Sequence, residues 1–206
     1  MNSELIDVEV VNKSSEAQGI VSFELAPTTG GLLPAFTPGA HIDLTLPNGL
    51  IRQYSLFEHS VSPTSYKIAV LREPESRGGS EYVHENLQVG STLQISAPRN
   101  HFELVTAKKY LLLAGGIGVT PIMCMAGKLA RENADFTLHY CCRSRERMAF
   151  EQRLSTSDFA ANVHLHIDEE STQPAFDAKA VFAEVNADTH LFVCGPKGFM
   201  DFVIGA

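Results

Sequence analysis

The sequence predicts a two-domain protein in which a six-stranded antiparallel β-barrel precedes a parallel α/β domain. The first half carries short alternating apolar runs separated by turn residues, whereas the second half alternates apolar strands with helical segments. A chain of 206 residues is also long enough to bury two small cores. The change in pattern places the boundary near residue 106 and predicts domains over 1–105 and 106–206.

The first half contains six segments with the period-two alternation of strands. They cover residues 5–11, 20–25, 41–46, 52–57, 66–71 and 92–97. Pro47, Asn48 and Gly49 separate the third strand from the fourth and predict a hairpin between them. A short helix is predicted over residues 80–87, with Ser80 as its N-cap.

The second half predicts a parallel sheet wrapped by helices. Strands are expected over 110–114, 136–141, 163–167 and 190–194, and helices over 121–132, 147–154, 178–185 and after CGPKGFM. Ligands of such sheets bind beyond the carboxyl ends of the strands, so GGIGVTP, CCRSRER and CGPKGF are expected to meet at one crevice. The loop DEESTQ at 168–173 is expected to have no role beyond solvation.

The segment LLLAGGIGVTPIM is the first candidate binding element. Gly115, Gly116 and Gly118 lack Cβ atoms, so a phosphate can approach the backbone, while Thr120 suits an N-cap and Pro121 the first helical position. A turn from a strand into a helix favours a bound anion, here a diphosphate. The alternative is an ordinary βα turn without a ligand. Pro121 stands where the third glycine of G-x-G-x-x-G belongs, which disfavours an ordinary Rossmann dehydrogenase.

The segment RQYS is the second candidate. In a strand, Arg52 and Tyr54 share one face while Gln53 and Ser55 take the other, so the segment can place several functional groups around a ligand edge. An amphipathic edge strand without a ligand is the alternative.

The segment SRGGS is the third candidate. Gly78 and Gly79 precede the predicted helix, and Arg77 lies beside its N-terminus. Together these features predict a phosphate site, and the alternative is a loop with an ordinary cap.

Composition excludes several function classes. The net charge of −8, with no basic cluster beyond Arg143, Arg145 and Arg147, argues against nucleic acid or an anionic membrane as a partner. No apolar run reaches the roughly 18 residues of a membrane span, and no secretory signal is seen, so a cytoplasmic protein is expected. The four cysteines lack metal-ligand spacing, which predicts reduced thiols and no metal site.

RQYS, RGGS, GGIGVTP and CGP, in this order, resemble the ferredoxin-reductase-like flavoprotein family across residues 6–201. The segments SAPRNHFEL and LHYCCRSRERMAF most resemble the reductase components of Rieske-type aromatic oxygenases, the phthalate dioxygenase reductase and vanillate demethylase reductase group. The resemblance implies an amino-terminal flavin barrel and a carboxyl-terminal NAD(P)H domain. It implies FMN, because this group holds a terminal flavin phosphate at RGGS, with FAD as the alternative.

The resemblance also implies roles for individual residues. Implied flavin contacts are Arg52 (phosphate), Gln53, Tyr54, Ser55 (near N5), Ala69, Val70, Leu71, Arg77, Gly78, Gly79, Ser80 and, from the other domain, Thr120. Implied NAD(P)H contacts are Gly115, Gly116, Gly118, Pro121, Arg143, Arg145, Cys194, Gly195 and Pro196. Ser55 and Cys194 are the candidates for shaping the catalytic contact between nicotinamide and flavin by hydrogen bonding and packing, and the alternative for Cys194 is a structural thiol that closes a strand.

The function implied by the resemblance is transfer of electrons from NADH, or alternatively NADPH, through FMN to an iron–sulfur acceptor and a Rieske-type oxygenase. The family pattern continues into a two-iron two-sulfur domain whose cysteines this sequence lacks, so a carboxyl-terminally truncated chain is expected. Two other functions stay open at this point. One is a non-catalytic flavin-binding or docking subunit, and the other is a reductase of free flavin or ferric iron.

Overall fold

The computed structural model describes residues 5–76, 78–170 and 176–206. The chain forms two compact units, Met1–Leu104 and Val105–Ala206. Each unit has its own sheet and its own core.

The first unit is an antiparallel barrel. Its elements are β1 (Leu5–Ala17), β2 (Ile20–Pro27), β3 (His41–Thr45), β4 (Ile51–Ser55), β5 (Tyr66–Leu71), α1 (Gly79–Asn86) and β6 (Thr92–Ser96). The strand order is β4-β3-β6-β1-β2-β5, and all paired neighbours are antiparallel. A bridge between Leu56 and Ile68 links the two ends of this order and closes the barrel. The predicted six-stranded barrel is therefore confirmed.

Alternating side chains fill the barrel, as the sequence pattern predicts. On β3, Ile42 and Leu44 are fully buried, whereas their neighbours in the strand are partly exposed. The hairpin between β3 and β4 is also confirmed, because the Leu46 N–H donates to the Leu50 carbonyl at 2.8 Å. Gly49 has a φ of 81° in this turn, a conformation that glycine adopts without steric cost.

The first strand is longer than the sequence pattern predicts, since β1 continues to Ala17 instead of ending at residue 11. Its second half is polar and lacks apolar alternation, but it pairs with β2 as far as Ala17 opposite Ile20. The register shifts between Val10 and Asn12, as expected of a β-bulge. Pairing with β2, rather than burial, therefore extends the strand.

The second unit is a parallel sheet with helices. Its elements are β7 (Lys109–Gly115), α2 (Val119–Arg131), β8 (Asp135–Cys142), α3 (Glu151–Ser155), β9 (Val163–Ile167), α4 (Ala178–Phe182), β10 (Thr189–Cys194) and α5 (Lys197–Ile204). The strand order is β10-β7-β8-β9, and all pairs are parallel. The predicted parallel α/β fold is confirmed.

Strand β7 is the centre of this sheet and is buried on both faces over residues 110–115. Helix α2 packs against β7, β8 and β10. Leu111 and Leu113 belong to an apolar cluster with Phe176, Ala178 and Val203. The buried strand predicted before the glycine turn is thus confirmed, and its carboxyl end is where the candidate site begins.

The predicted N-cap of α2 is wrong. The helix begins at Val119 with Gly118 as its N-cap, and the Thr120 hydroxyl donates to the Ile117 carbonyl at 3.0 Å. Pro121 is consequently the third helical residue rather than the first. It still lies in the first turn, where backbone N–H groups have no intrahelical partner, so its missing N–H is tolerated.

Two predicted helices are shorter in the structure. In place of the helix predicted over 147–154, the structure has a 3₁₀ turn at Arg145–Arg147 and then the short helix α3. Phe150, with a φ of 62°, lies between the two and breaks the helical path of the backbone. Phe150 and Leu154 are both buried and lie four residues apart, so their apolar spacing imitates a helix face although the backbone turns at Phe150. Helix α4 ends at Phe182 rather than residue 185.

Candidate cofactor and nucleotide sites

The first unit brings Arg52 of β4 directly against Gly79 at the start of α1. A Cβ atom on Gly79 would lie 2.1 Å from Arg52 Nε and 2.8 Å from its Cγ and Cδ. The side chain of Arg52 therefore passes directly over Gly79, the first residue of the helix. Only glycine leaves room for it, because any other residue would place a Cβ atom in its way. The structure thus joins two of the predicted segments, RQYS and RGGS, at one helix N-terminus.

The start of α1 has the features of an anion site. Gly78 is its N-cap with a φ of 80°, and it has no side chain to occupy the N–H groups of the first turn. The prediction that Ser80 caps the helix is wrong, because Ser80 lies inside α1. Its hydroxyl accepts from the Glu73 N–H at 3.2 Å and donates to Ser76 Oγ at 3.1 Å. Arg77 lies outside the described residues.

Helix α1 is held in place by two residues that sequence reasoning missed. Lys13 Nζ donates to the carbonyls of His84 at 3.0 Å and Leu87 at 2.8 Å, at the carboxyl end of the helix. His84 Nε2 lies 2.9 Å from the Val70 carbonyl of β5. These bonds fix the helix to β1 and β5. The contact of Lys13 joins residues far apart in the chain, so no spacing in the sequence indicates it.

The other residues of RQYS take different positions. Tyr54 is half-buried, and burial raises the pKa of its phenol to about 12, so it is neutral at pH 7. The side chain of Gln53 donates to Asp43 Oδ1 at 3.2 Å, which in turn pairs with Arg99. Ser55 ends β4 opposite His41. The Gln53 side chain is therefore bound to Asp43 rather than to Arg52 and Gly79.

The predicted flavin-facing residues are the last three of β5. Ala69 and Val70 are buried at 4% and 1% exposure, whereas Leu71 is partly exposed. Since Val70 also receives the contact from His84, this strand and α1 form one connected support around Arg52.

The second unit packs its glycine turn against the CGP segment. A Cβ atom on Gly118 would lie 2.3 Å from the Cys194 carbonyl oxygen and 2.6 Å from Gly195 N. A Cβ atom on Gly115 would lie 2.7 Å from the ring of Phe199. Gly116, with a φ of 52°, makes the turn between them. These glycines are needed for the close approach of two strand ends, a structural role in addition to any contact with a ligand.

The end of β8 completes this region. Cys141 lies opposite Gly115 in register, and the Cys142 thiol donates to the Arg147 carbonyl at 3.8 Å. The carboxyl ends of β7, β8 and β10 therefore meet around the glycine turn. Convergence of the three predicted segments is confirmed within this unit, and Pro196 begins the helix that leaves it as the N-cap of α5.

The thiols of this region are protonated at neutral pH. Burial raises the pKa of Cys194, and burial followed by Asp168 and Cys142 raises the pKa of Cys141 to about 12. All four cysteines are free. Cys194 is thus suited to packing and to weak hydrogen bonding rather than to nucleophilic attack.

Of the arginines after β8, Arg145 is bound by acidic side chains. Arg145 donates from Nε to Glu170 Oε1 and from Nη2 to Glu170 Oε2, both at 2.8 Å, and its Nη1 donates to Glu151. The Glu169 N–H donates to the Arg143 carbonyl at 3.0 Å. The prediction that residues 168–173 serve only solvation is therefore wrong for Glu170. Residues 171–173 lie outside the described part of the chain.

Two structural features are absent from the described residues. Across residues 5–76, 78–170 and 176–206, no group of three or more His, Cys, Asp or Glu side chains is arranged to hold a metal ion. In the same residues, no helix is both long and apolar enough to cross a bilayer. The contact of Thr120 with a flavin stays a prediction, since it concerns both units.

Comparison with known proteins agrees with this fold. Residues 112–204 match the family described as the oxidoreductase NAD-binding domain. Vanillate O-demethylase oxidoreductase of Pseudomonas putida is 52% identical over 201 residues, 97% of this chain and 63% of that protein. The phthalate 4,5-dioxygenase reductase subunit of Pseudomonas putida is 41% identical over 96% of this chain and 61% of that protein. The solved phthalate dioxygenase reductase superposes with a TM-score of 0.92 at 36% identity, covering 98% of this chain and 63% of that structure.

A closed antiparallel barrel followed by a parallel α/β domain is the fold of ferredoxin-reductase-like proteins. Residues 112–204 in the second unit match the oxidoreductase NAD-binding domain family, and the chain as a whole is similar to the vanillate O-demethylase and phthalate dioxygenase reductases. The resemblance predicted from the sequence is confirmed. The chain spans about 63% of the length of the vanillate O-demethylase relative it matches.

Proposed function

We propose that this chain takes electrons from NADH onto a bound FMN and passes them to an iron–sulfur acceptor that serves an aromatic-ring oxygenase. The single observation that carries the flavin half is Arg52 crossing Gly79 at the N-terminus of α1. This arrangement suits one terminal phosphate. The NADH half rests on the glycine turn, with which the NAD-binding domain family match agrees. The iron–sulfur acceptor is inferred from the solved phthalate dioxygenase reductase, which transfers electrons from pyridine nucleotides to a two-iron two-sulfur centre, and the oxygenase from the vanillate O-demethylase and phthalate dioxygenase relatives.

The residues of the barrel would bind and orient the flavin. Arg52 supplies a guanidinium for the phosphate, and the first turn of α1 supplies N–H groups, so both stabilise the same negative charge. Tyr54 provides an aromatic surface for the ring system, and Ser55 a hydroxyl for its N5 edge. FMN is favoured over FAD because the site concentrates its positive charge at one helix terminus.

The residues of the second unit would bind the dinucleotide. Gly116 and Gly118 expose backbone to the diphosphate, and Cys194, Gly195 and Pro196 border the nicotinamide. Bound FMN would supply a group that can accept two electrons from a nicotinamide and give them up one at a time to an iron–sulfur centre. Amino-acid side chains, thiols included, do not supply both steps by themselves. The protonated Cys194 thiol adds shape and no charge to this pocket.

The test is the pigment of the purified protein and its response to NADH. We expect near-stoichiometric bound flavin whose release by heat yields FMN, and bleaching of its absorbance when NADH is added without oxygen. A colourless protein that reduces added flavin would indicate a reductase of free flavin. A yellow protein that NADH does not bleach would indicate a non-catalytic flavin-binding subunit. Release of FAD would overturn the choice of FMN alone.

A further inference from the structure

Arg145 and two carboxylates form a cluster at the end of the second strand of the parallel sheet. Glu170 accepts two parallel hydrogen bonds from the guanidinium, each 2.8 Å long, and Glu151 accepts a third from Nη1. We call these three residues the Arg145 clamp. The hydrogen bond from Arg145 lowers the pKa of Glu170, so the pair is charged at neutral pH.

With NADH bound as proposed above, the clamp would lie beside the adenosine ribose. Arg145 follows β8 by three residues, and Cys141 at the end of β8 is paired with Gly115 of the glycine turn. In doubly wound sheets the groups that follow the second strand read this ribose, an acidic side chain for a 2′-hydroxyl and an arginine for a 2′-phosphate. Residue type alone leaves Arg145 as a candidate for either coenzyme.

The contacts of Arg145 remove this ambiguity. A 2′-phosphate could bind the guanidinium only after displacing Glu170 from its two-point contact, which is the strongest arrangement available to an arginine. The surroundings are also acidic, because residues 143–151 and 168–170 contain three arginines and five carboxylates. A neutral ribose hydroxyl meets neither obstacle.

We propose that Glu151 and Glu170 select NADH over NADPH by holding Arg145 in the clamp. This inference deepens the proposed function and rests on it. Exposed ion pairs contribute little to stability, but the clamp acts by competition for the guanidinium. Its effect is therefore expected on the choice between coenzymes rather than on folding.

The experiment releases Arg145 without removing it. Glu151→Gln/Glu170→Gln should raise the ratio of kcat/KM for NADPH to that for NADH by about tenfold or more, because the freed guanidinium can bind the 2′-phosphate. Adding Arg145→Ala should cancel this gain. Glu169→Gln is the control for charge, since it removes a negative charge from the same loop and leaves the clamp intact, and its gain is compared per charge removed. Adenosine 2′,5′-bisphosphate and 5′-AMP, titrated by calorimetry, should show the same change in preference without any turnover.

Three results would overturn the proposal. The first is an unchanged coenzyme ratio in the double variant, with its fold verified by circular dichroism. The second is an equal gain per charge removed in Glu169→Gln, which would assign the effect to general charge. The third is a gain that survives Arg145→Ala, which would assign it to another arginine. Failure of the wild-type protein to reduce flavin with either coenzyme would refute the proposed function instead, and the calorimetric comparison would still decide the clamp.

Discussion

Gly79→Ala should weaken flavin binding although it adds a single methyl group. The new Cβ would lie 2.1 Å from Arg52 Nε and 2.8 Å from two carbons of the same side chain. Arg52 must therefore leave its position over the helix N-terminus. Alanine is otherwise favourable inside a helix by about 1 kcal/mol over glycine, so the fold itself should not suffer from the change.

The size of the effect follows from the contact that is lost. A charge-assisted hydrogen bond contributes about 1.5–3 kcal/mol, which corresponds to a roughly 10- to 150-fold higher Kd for FMN. Quenching of flavin fluorescence on binding to the apoprotein measures this Kd. Gly127→Ala is the matched control, because Gly127 also lies within a helix near an arginine but its added Cβ would meet Arg131 Nη1 at 3.6 Å, an ordinary contact.

A double-mutant cycle tests whether the methyl group acts through Arg52. Arg52→Ala alone should raise the Kd for FMN by a similar factor, and adding Gly79→Ala to it should change little further, because the displaced side chain is already absent. An unchanged Kd in Gly79→Ala, or additive effects of the two substitutions, would refute the assignment of Arg52 to the phosphate.

Three further predictions concern the rest of the molecule. Gly118→Ala should raise the KM for NADH roughly tenfold, because the new Cβ would lie 2.3 Å from the Cys194 carbonyl oxygen and no change of side-chain rotamer can relieve a clash with backbone. Steady-state kinetics measure the KM, and an unchanged value would contradict this prediction. Lys13→Met should lower the free energy of unfolding, measured by urea denaturation, by about 1–3 kcal/mol and should weaken flavin binding, because two carbonyls at the end of α1 lose their hydrogen-bond donor. Unchanged flavin affinity would contradict the role of Lys13 in supporting the helix. Burial is the main cause that lowers the pKa of His139 to about 4, and the neighbouring His166 and His164 lower it further. Because the pKa of this histidine is about 6.5 in the unfolded chain, the unfolded state takes up a proton first as the pH falls. Stability should consequently decline between pH 6.5 and 4 by about 1–2 kcal/mol after allowance for partial exposure, and His139→Asn should flatten this decline in denaturation curves whereas the exposed His190→Asn should not.

Much of the architecture was predictable because it depends on local pattern. Period-two alternation predicts the barrel strands, and the Pro47-Asn48-Gly49 turn predicts the hairpin, since both depend on neighbours in sequence. The buried run before Gly115 likewise predicts a central parallel strand. Helix starts were less accessible, because Gly118 and Gly78 act as N-caps through backbone conformation, whereas the sequence offers Thr120 and Ser80 as more usual caps.

The remainder depends on contacts between distant residues. Glu170 looks like one of several acids in a polar loop until β9 places it beside Arg145. In the sequence, Lys13 is indistinguishable from an ordinary strand lysine. Only in the folded barrel does its ammonium group donate hydrogen bonds to the carbonyls at the end of α1. Neither contact has a sequence signature, because each depends on strand pairing rather than on spacing.

The same physical device supports both candidate sites. In each site, a glycine allows another segment to approach so closely that a Cβ atom would clash with it. The approaching group is Arg52 at Gly79 in the barrel and the Cys194 carbonyl at Gly118 in the second unit. The two devices differ in what they control. At Gly79 the approaching group is a flexible cation, so an added methyl group displaces a charge and should change affinity. At Gly118 it is backbone, so an added methyl group must separate two strand ends and should change the shape of the pocket itself. Binding of FMN and binding of NADH should therefore respond independently to the two substitutions, because Gly79 and Gly118 lie in different units.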